Sequence, residues 1–175
     1  MVLPDVLGRD LCIVFCGTAA GAASALLGQY YAGPGNRFWP TLARVGLTPR
    51  ELKPSEYRDV LSYGLGLTDV VKGQSGSDSS LDFRKADTAQ LRARIEKYRP
   101  RILCFTSKRA AKAFFGAKHV ELGLQNARIG ETLIFVAPSP SGLAKKSWDE
   151  EVWRDLARLA RRSCPDRAAG ESVAV

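Results

Sequence analysis

The sequence predicts an α/β fold, a three-layer α/β/α sandwich around a central, mainly parallel four-stranded sheet. Four short apolar runs are bounded by glycine or polar residues, which is typical of buried parallel strands. These runs are residues 11–16, 65–71, 102–106 and 132–137. Segments with helical spacing lie between the runs, and strands that alternate with helices favour a parallel sheet covered on both faces.

Residues that favour helix N-caps mark the starts of three predicted helices. They are Asn36, Ser55 and Ser107. The spacing of apolar residues predicts two further helices, over residues 87–98 and 148–161. Each of these five segments follows or precedes one of the apolar runs, as helical crossovers do.

The chain length of 175 residues suits one domain, which we predict over residues 1–162. Residues 163–175 are small and polar and predict a flexible C-terminal tail. The glycine- and serine-rich segment 72–82 predicts a mobile surface loop.

The charge balance points to an acidic partner. The net charge is +8 and the pI is about 9.6, which makes nucleic acid the first candidate and a membrane surface the second. No apolar run approaches the roughly 18 residues that span a bilayer. Residues 1–10 lack the basic start and long apolar stretch of a signal peptide. We therefore expect a cytoplasmic protein that does not enter a membrane.

The cysteines show no metal-binding pattern. Four are present and none forms a C-x-x-C pair. Cys12 and Cys16 share one apolar run, so we expect free, buried thiols. Because the single histidine, His119, lies in a surface-like stretch, the sequence predicts no metal site and no cofactor.

Three segments of unusual composition follow predicted strands. They begin after Cys16, at Asp69 and after Ala137. The carboxyl ends of parallel strands meet at one edge of the sheet, and ligands bind at that edge in such folds. The three segments therefore predict a single cleft.

These segments carry a specific pattern. Residues 17–21 (GTAAG) stand where the mismatch-specific uracil-DNA glycosylases have G-I-N-P-G, and residues 33–39 (GPGNRFW) are similar to their H-P-x-N-R-F-W segment. Residues 52–54 (LKP) and 66–69 (GLTD) match further segments of that family, and residues 138–143 (PSPSGL) resemble its N-P-S-G-L motif. The chain thus resembles the mismatch-specific branch of the uracil-DNA glycosylase superfamily, whose fold is an α/β/α sandwich.

The resemblance implies hydrolysis of the N-glycosidic bond of a uracil that has flipped out of DNA. The bond breaks with an oxocarbenium-like sugar and a uracil anion, so catalysis needs donors for the anion and a group that orients water or stabilises the cation. In the resembled branch the asparagine of G-I-N-P-G positions the water, and Ala19 takes its place here. We therefore predict Asp69 as the catalytic residue, with a turn-forming or helix-capping role of Asp69 as the alternative.

The resemblance also implies which groups hold the base. Tyr31 matches the aromatic residue that stacks on the flipped base, with Tyr30 as the alternative if the alignment shifts by one residue. Around Ala19, the backbone N–H groups of Thr18 and Ala20 are predicted to donate to uracil oxygens.

Two polar residues are further candidates for uracil contacts. Asn36 either reads the uracil edge or caps a helix. Ser139 replaces an asparagine that is often found in the second motif.

The predicted DNA contacts lie in the second motif and directly after it. Ser141 is a candidate for a phosphate contact, and Leu143, beside Gly142, matches the wedge that fills the gap left by the flipped nucleotide. Lys145 and Lys146 are predicted to bind backbone phosphates, with a solvated lysine pair as the alternative.

The predicted function is that of a monofunctional, monomeric uracil-DNA glycosylase that uses water, acts on uracil-containing DNA and releases free uracil. Two alternatives stay open. A binding module of the same fold would recognise uracil or abasic DNA without cleaving it, which the loss of the asparagine at Ala19 favours. A nucleotide- or nucleoside-handling enzyme would have an incidental basic surface.

Overall fold

The computed structural model describes residues 3–76 and 85–166. Five strands form one sheet in this part of the chain, in the order β2-β1-β3-β5-β4. They are β1 (Ile13–Gly17), β2 (Leu65–Asp69), β3 (Ile102–Phe105), β4 (Gly123–Ile129) and β5 (Thr132–Val136). The first four strands of this order run parallel to their neighbours, and β4 pairs with β5 in the antiparallel direction.

The described residues also form five α-helices and two 3-10 helices, which lie between the strands or follow β5. They are α1 (Ala22–Leu27), α2 (Phe38–Arg44), α3 (Lys85–Tyr98), α4 (Lys108–Phe115) and α5 (Glu150–Ser163), with 3-10 helices at Pro54–Tyr63 and Lys145–Ser147. Of the three predicted helix starts, Ser107 is confirmed as the N-cap of α4, Asn36 lies one residue before Arg37, the N-cap of α2, and Ser55 lies inside the 3-10 helix that begins at Pro54. Ser107 Oγ accepts a hydrogen bond from the Ala110 amide, and Asn36 Oδ1 accepts one from the Phe38 amide. α1 was not predicted, because this six-residue helix begins after Gly21 without a side-chain cap.

The central strand β1 is buried on both faces, as the continuous apolar run predicts. Ile13 and Phe15 pack into one core cluster with residues of α2 and α5, whereas Val14 and Cys16 pack into a second cluster with residues of α3 and α4. The two clusters lie on opposite sides of the sheet because successive side chains of a strand alternate in direction. The expectation of a mostly parallel sheet flanked by helices is therefore confirmed.

The expected count of four strands is wrong, since β4 is a fifth. Its sequence, GLQNARI, contains few apolar residues because β4 is an edge strand whose side chains are mostly exposed. β4 and β5 form a hairpin through Gly130, whose φ of 57° lies in the left-handed region. An exposed edge strand has no continuous apolar run, so the signal that identified the other four strands is missing here.

The expectation of free thiols is also wrong for two of the four cysteines. Cys12 and Cys164 form a disulfide with their Cα atoms 6.0 Å apart, while Cys16 and Cys104 are free and buried. The sequence offers no spacing rule that would pair residues 152 positions apart. Their pairing follows from the fold, because Cys12 directly precedes β1 and Cys164 directly follows α5.

Two predictions from composition fall largely outside the described residues. Of the predicted loop 72–82, residues 77–82 lie outside them, and so do residues 167–175 of the predicted tail. α5 extends to Ser163, one residue into that tail, and Cys164 is held by its disulfide. None of the helices in the described part of the chain is long and apolar enough to cross a membrane.

The N-terminal segment packs tightly against β2 at Gly66. Val6 exchanges two backbone hydrogen bonds with Leu67, of 2.9 and 2.8 Å. A Cβ on Gly66 would therefore lie only 2.8 Å from the Val6 carbonyl oxygen and 2.8 Å from Leu11 Cδ1.

We expect Gly66→Ala to destabilise the protein by about 1–3 kcal/mol, because the added methyl group overpacks this contact. Urea denaturation measures the change in the free energy of unfolding. Gly73→Ala is the matched control, since a Cβ at Gly73 meets no atom within 4 Å. Equal stability of the two variants would contradict the tight packing at Gly66.

Candidate active site

The carboxyl ends of the parallel strands meet at one edge of the sheet. Gly17, the last residue of β1, pairs with Asp69, the last residue of β2. Thr106 directly follows β3, and its amide donates to the Cys16 carbonyl at 3.0 Å. Ala137 follows β5 in the same way, with its amide donating to Phe105 at 2.9 Å. The segments after Cys16, at Asp69 and after Ala137 therefore begin at the same edge, as predicted.

Gly17 lies at the centre of a group of polar side chains. A Cβ on Gly17 would lie 3.0 Å from Asp69 Oδ1, 3.6 Å from the Tyr31 hydroxyl and 3.7 Å from Thr106 Oγ1. These three groups come from three separate parts of the chain. The absence of a side chain at Gly17 lets them approach one point at the end of β1.

Asp69 is almost completely buried, with 5% of its surface exposed. Its Oδ1 faces Gly17, its Oδ2 lies 3.3 Å from Lys72 Nζ, and its backbone carbonyl accepts from Arg94 at 2.8 Å. Burial raises the pKa of Asp69 because it disfavours the charged form, and the Lys72 ammonium group opposes this rise. Asp69 is thus a desolvated carboxyl group with one oxygen held by a cation.

Lys72 and Asp5 belong to the same site and were missed from the sequence. Lys72 Nζ lies 2.6 Å from Asp5 Oδ1 and donates to the Tyr30 hydroxyl at 3.1 Å. Thr68 Oγ1 donates to Asp5 Oδ1 at 2.7 Å. In the sequence, Lys72 begins the polar segment 72–82 and Asp5 lies in an N-terminal segment without a distinctive pattern. The one available signal was the spacing of three residues between Asp69 and Lys72.

The turn after β1 is held by the segment that follows β2. The carbonyl groups of Gly17 and Thr18 accept hydrogen bonds from Val70 and Val71, at 2.9 and 2.8 Å. The Ala20 carbonyl accepts from Gly76 at 3.0 Å. The fixed carbonyls hold the backbone of this turn in place. Its predicted contacts with uracil through Thr18 and Ala20 stay predictions.

Ala19 is half-buried and packs against the core cluster beneath α3 and α4. Its methyl group offers no hydrogen-bonding atom to a ligand. The polar side chains that approach Gly17 come from other parts of the chain, and they are those of Asp69, Tyr31 and Thr106.

The two neighbouring tyrosines have different environments. Tyr30 is only 2% exposed, and its hydroxyl donates to the Pro4 carbonyl at 3.0 Å, so it is a core residue. The Tyr31 hydroxyl hydrogen-bonds Thr106 Oγ1 at 3.1 Å, and its ring stacks on Phe38 with centroids 3.8 Å apart. Tyr31 also has a φ of 52°, a backbone conformation that is rare outside glycine. Of the two predicted candidates, Tyr31 is the one that reaches the site.

The loop after β5 is fixed by hydrogen bonds from α2 and α5. The Arg37 amide donates to the Pro140 carbonyl at 2.8 Å, and the Arg37 guanidinium donates to the Ser141 carbonyl at 3.3 Å. The Trp153 indole N–H donates to the Pro138 carbonyl at 3.1 Å. Within the loop, Ser139 Oγ accepts from the Ser141 amide at 3.3 Å. Ser139 therefore braces the loop, and its predicted contact with uracil stays a prediction.

Leu143 is the most exposed large apolar side chain among the described residues, at 94%. Ser141 Oγ accepts from the Leu143 amide at 3.2 Å, which fixes the backbone that carries this side chain. Lys145 and Lys146 follow in an exposed 3-10 helix, and an open recess of about 480 Å³ is lined by residues 143–147. An apolar side chain and two cations therefore project from one rigid loop.

The comparison with known families agrees with this geometry. The family model of the Uracil DNA glycosylase superfamily matches residues 4–157. The chain belongs to this superfamily. The match includes both motif segments, the Asp69 strand and the N-terminal Asp5.

A solved structure shares the fold. It is the solution NMR structure of a candidate uracil DNA glycosylase from Methanosarcina acetivorans, with a TM-score of 0.60 and 23% sequence identity. The similarity covers 91% of this chain and 97% of that chain. At this identity the comparison supports a common fold and no more.

In this superfamily member the two motif turns touch each other through backbone atoms. A Cβ on Gly142 would lie 2.6 Å from the Pro34 carbonyl oxygen and 3.2 Å from Gly35 C. Only glycine therefore allows the loop after β5 to lie against the turn before α2.

We expect Gly142→Ala to push these two turns apart. The Arg37 amide, which donates across this contact to Pro140, should then exchange its proton with solvent faster, as hydrogen–deuterium exchange measures. Gly33→Ala is the matched control in the same turn, because a Cβ at Gly33 meets no atom within 4 Å. Unchanged exchange in Gly142→Ala would show that the contact does not hold the turns together.

Proposed function

We propose that this protein hydrolyses the N-glycosidic bond of uracil flipped out of DNA, leaving an abasic site and free uracil. The observation that carries the proposal is the buried Asp69 carboxyl group, which points at Gly17 beside the Tyr31 and Thr106 hydroxyls. Membership of the uracil DNA glycosylase superfamily supports the substrate class. The similarity of residues 17–21 and 138–143 to the two mismatch-specific motifs supports a place in or near that branch.

The proposed reaction needs no covalent bond to the protein. The bond between uracil N1 and the sugar C1′ breaks, and its electron pair leaves with uracil. The backbone N–H groups of Thr18 and Ala20 stabilise the resulting anion. A water molecule forms the new bond to C1′ and transfers a proton to Asp69, whose negative charge also stabilises the cationic sugar in the transition state.

In this proposal Asp69 orients the water, which Ala19 cannot do because its side chain has no hydrogen-bonding atom. A carboxylate at the end of β2 reaches the same point at Gly17 as a side chain from the first turn, since Gly17 and Asp69 are paired residues. Its burial strengthens its interaction with a developing positive charge because the local dielectric is low.

The proposed grip on DNA uses the two fixed loops. Tyr31 stacks on the extruded base, and Leu143 enters the gap that the nucleotide leaves. The phosphates on either side of the extruded nucleotide are contacted by Ser141, Lys145 and Lys146. Because Asn36 Oδ1 accepts a hydrogen bond from the Phe38 amide, a uracil contact from Asn36 would use its amide nitrogen.

Asp69→Asn is the first test. We expect single-turnover excision of uracil from an oligonucleotide to fall about 10²–10⁴-fold, because the amide accepts no proton from water. Asp59→Asn is the matched control, since Asp59 is exposed on the Pro54–Tyr63 helix. Release of free uracil is measured by chromatography and the abasic site by alkaline cleavage. Full activity of Asp69→Asn would remove Asp69 from the mechanism.

Asp69→Asn should also change how the stability of the protein depends on pH. Since burial raises the pKa of Asp69 above its ordinary value, the folded state binds this proton more tightly than the unfolded state. The stability contribution of Asp69 therefore falls as the pH rises from the ordinary pKa of aspartate through the raised one. Asp69→Asn removes this loss, so its melting temperature relative to that of the unmodified protein should rise between acidic and neutral pH, and a difference that stays constant or falls would contradict the raised pKa.

Leu143→Ala tests the wedge. We expect excision from duplex DNA to fall roughly tenfold or more, the equivalent of losing one buried leucine contact. Excision from single-stranded DNA should change much less, because no gap in a stacked duplex has to be filled. Leu61→Ala is the control. Leu61 is 40% exposed and lies on the Pro54–Tyr63 helix, which leads into the amino end of β2, whereas the candidate site lies at the carboxyl ends of the strands. Equal losses on both substrates would contradict a wedge role.

A non-catalytic binding module remains the second candidate, because Ala19 offers no polar side chain. The two functions separate in one assay. A binder retains uracil DNA and releases no uracil at enzyme excess, whereas a glycosylase releases it in a single turnover.

A further inference from the structure

A group of charged residues lies on the side of Asp69 that faces away from Gly17. Lys72 Nζ lies between two carboxylates, 2.6 Å from Asp5 Oδ1 and 3.3 Å from Asp69 Oδ2. Arg94, from α3, donates to the Asp69 carbonyl at 2.8 Å, and its Nε lies 3.5 Å from Asp5 Oδ2. These contacts link the N-terminal segment, β2 and α3 on the side of the Asp69 carboxyl group that faces away from Gly17.

The members of this group are largely shielded from water. The exposed fractions of the side chains are 6% for Asp69, 18% for Arg94, 21% for Lys72 and 25% for Asp5. An unpaired charge in such surroundings is costly, so the carboxylates stay ionised only if cations lie beside them. Two carboxylates and two cations satisfy this requirement together.

The orientation of Lys72 is set by several contacts. Besides the two carboxylates, its ammonium group donates to the Leu3 carbonyl at 3.3 Å and to the Tyr30 hydroxyl at 3.1 Å. Asp5 is held in turn by Thr68 Oγ1 and by the backbone pairing of its neighbour Val6 with β2. These contacts therefore hold the Lys72 ammonium group beside Asp69.

We propose that Lys72 and Asp5 are positioning residues of the reaction: Lys72 keeps the Asp69 carboxylate ionised and its Oδ1 directed at the end of β1, and Asp5 orients Lys72. This inference rests on the proposed catalytic role of Asp69. Lys72 engages Oδ2, so the other oxygen is left to face Gly17. Asp5 holds Lys72 in place and moderates its effect, because its own negative charge acts against ionisation of Asp69.

The groups that face Asp69 come from every element packed against it. Lys72 follows it in its own loop, Asp5 lies in the N-terminal segment and Arg94 in α3. Among the described residues, Cys16 of β1, Tyr30 and Tyr31 are further titratable neighbours. Burial raises the pKa of Asp69 most, Lys72 lowers it, Asp5 raises it and Arg94 lowers it. Removal of Lys72 and removal of Asp5 should therefore shift this pKa in opposite directions.

The test is the pH profile of single-turnover uracil excision. The rate of the unmodified protein should rise with pH as Asp69 ionises. In Lys72→Gln this rise should move to higher pH by about one unit or more, the size of effect that a nearby opposite charge has on a carboxyl group. In Lys72→Arg it should stay close to its original position because the charge is retained. In Asp5→Asn, which keeps an acceptor for Thr68, it should move to lower pH.

Two further measurements separate positioning from a merely structural effect. Carbon-13 NMR of the carboxyl groups follows the titration of Asp69 directly, with its signal assigned by its loss in Asp69→Asn. Arg50→Gln controls for the loss of one positive charge, since Arg50 pairs with Glu56 on the surface. Opposite shifts in Lys72→Gln and Asp5→Asn, with none in Arg50→Gln, support the proposal.

The outcomes distinguish this inference from the proposed function. If Asp69→Asn is inactive but neither Lys72→Gln nor Asp5→Asn shifts the profile, the positioning role is overturned and the role of Asp69 stands. If Asp69→Asn is fully active, the proposed mechanism fails first. Should Lys72→Gln not fold, Asp5→Asn decides: a shift to lower pH supports the proposal, and an unchanged profile overturns it.

Discussion

The parallel pairing of β1 with β2 and β3 is the constraint on which the site depends. It puts Gly17 opposite Asp69 and places Thr106 just beyond the neighbouring strand. Backbone hydrogen bonds therefore define where the backbone of Asp69 lies, and the contact of Oδ2 with Lys72 then orients its carboxyl group. A residue without a side chain at the end of β1 then leaves space for groups from both neighbouring strands.

A carboxylate that is buried at that position stays ionised only if positive charges lie close to it. Lys72 of the loop after β2 and Arg94 of α3 supply these charges, and the N-terminal segment adds a second carboxylate, Asp5. Each of these elements also packs against the sheet. The charge arrangement and the packing therefore support each other, which is how a desolvated ionisable group is retained in a folded protein.

The sequence predicts the features of the fold that depend on short stretches of the chain. Continuous apolar runs predict β1, β2, β3 and β5, and the rule that parallel strands end at one edge predicts that Asp69 lies beside the end of β1. β4 was missed because an exposed edge strand lacks an apolar run. Lys72 and Asp5 were missed because their contact depends on packing between the N-terminal segment and the loop after β2, which are far apart in the chain. The pairing of Cys12 with Cys164 depends on the same long-range geometry.

That disulfide joins the residue before β1 to the residue after α5 and so encloses the entire sheet in one covalent ring. A single peptide-bond cut anywhere between these two cysteines would leave both fragments attached to each other. A proteolysed sample would consequently keep its full mass on a denaturing gel without reductant and separate into two bands only after reduction.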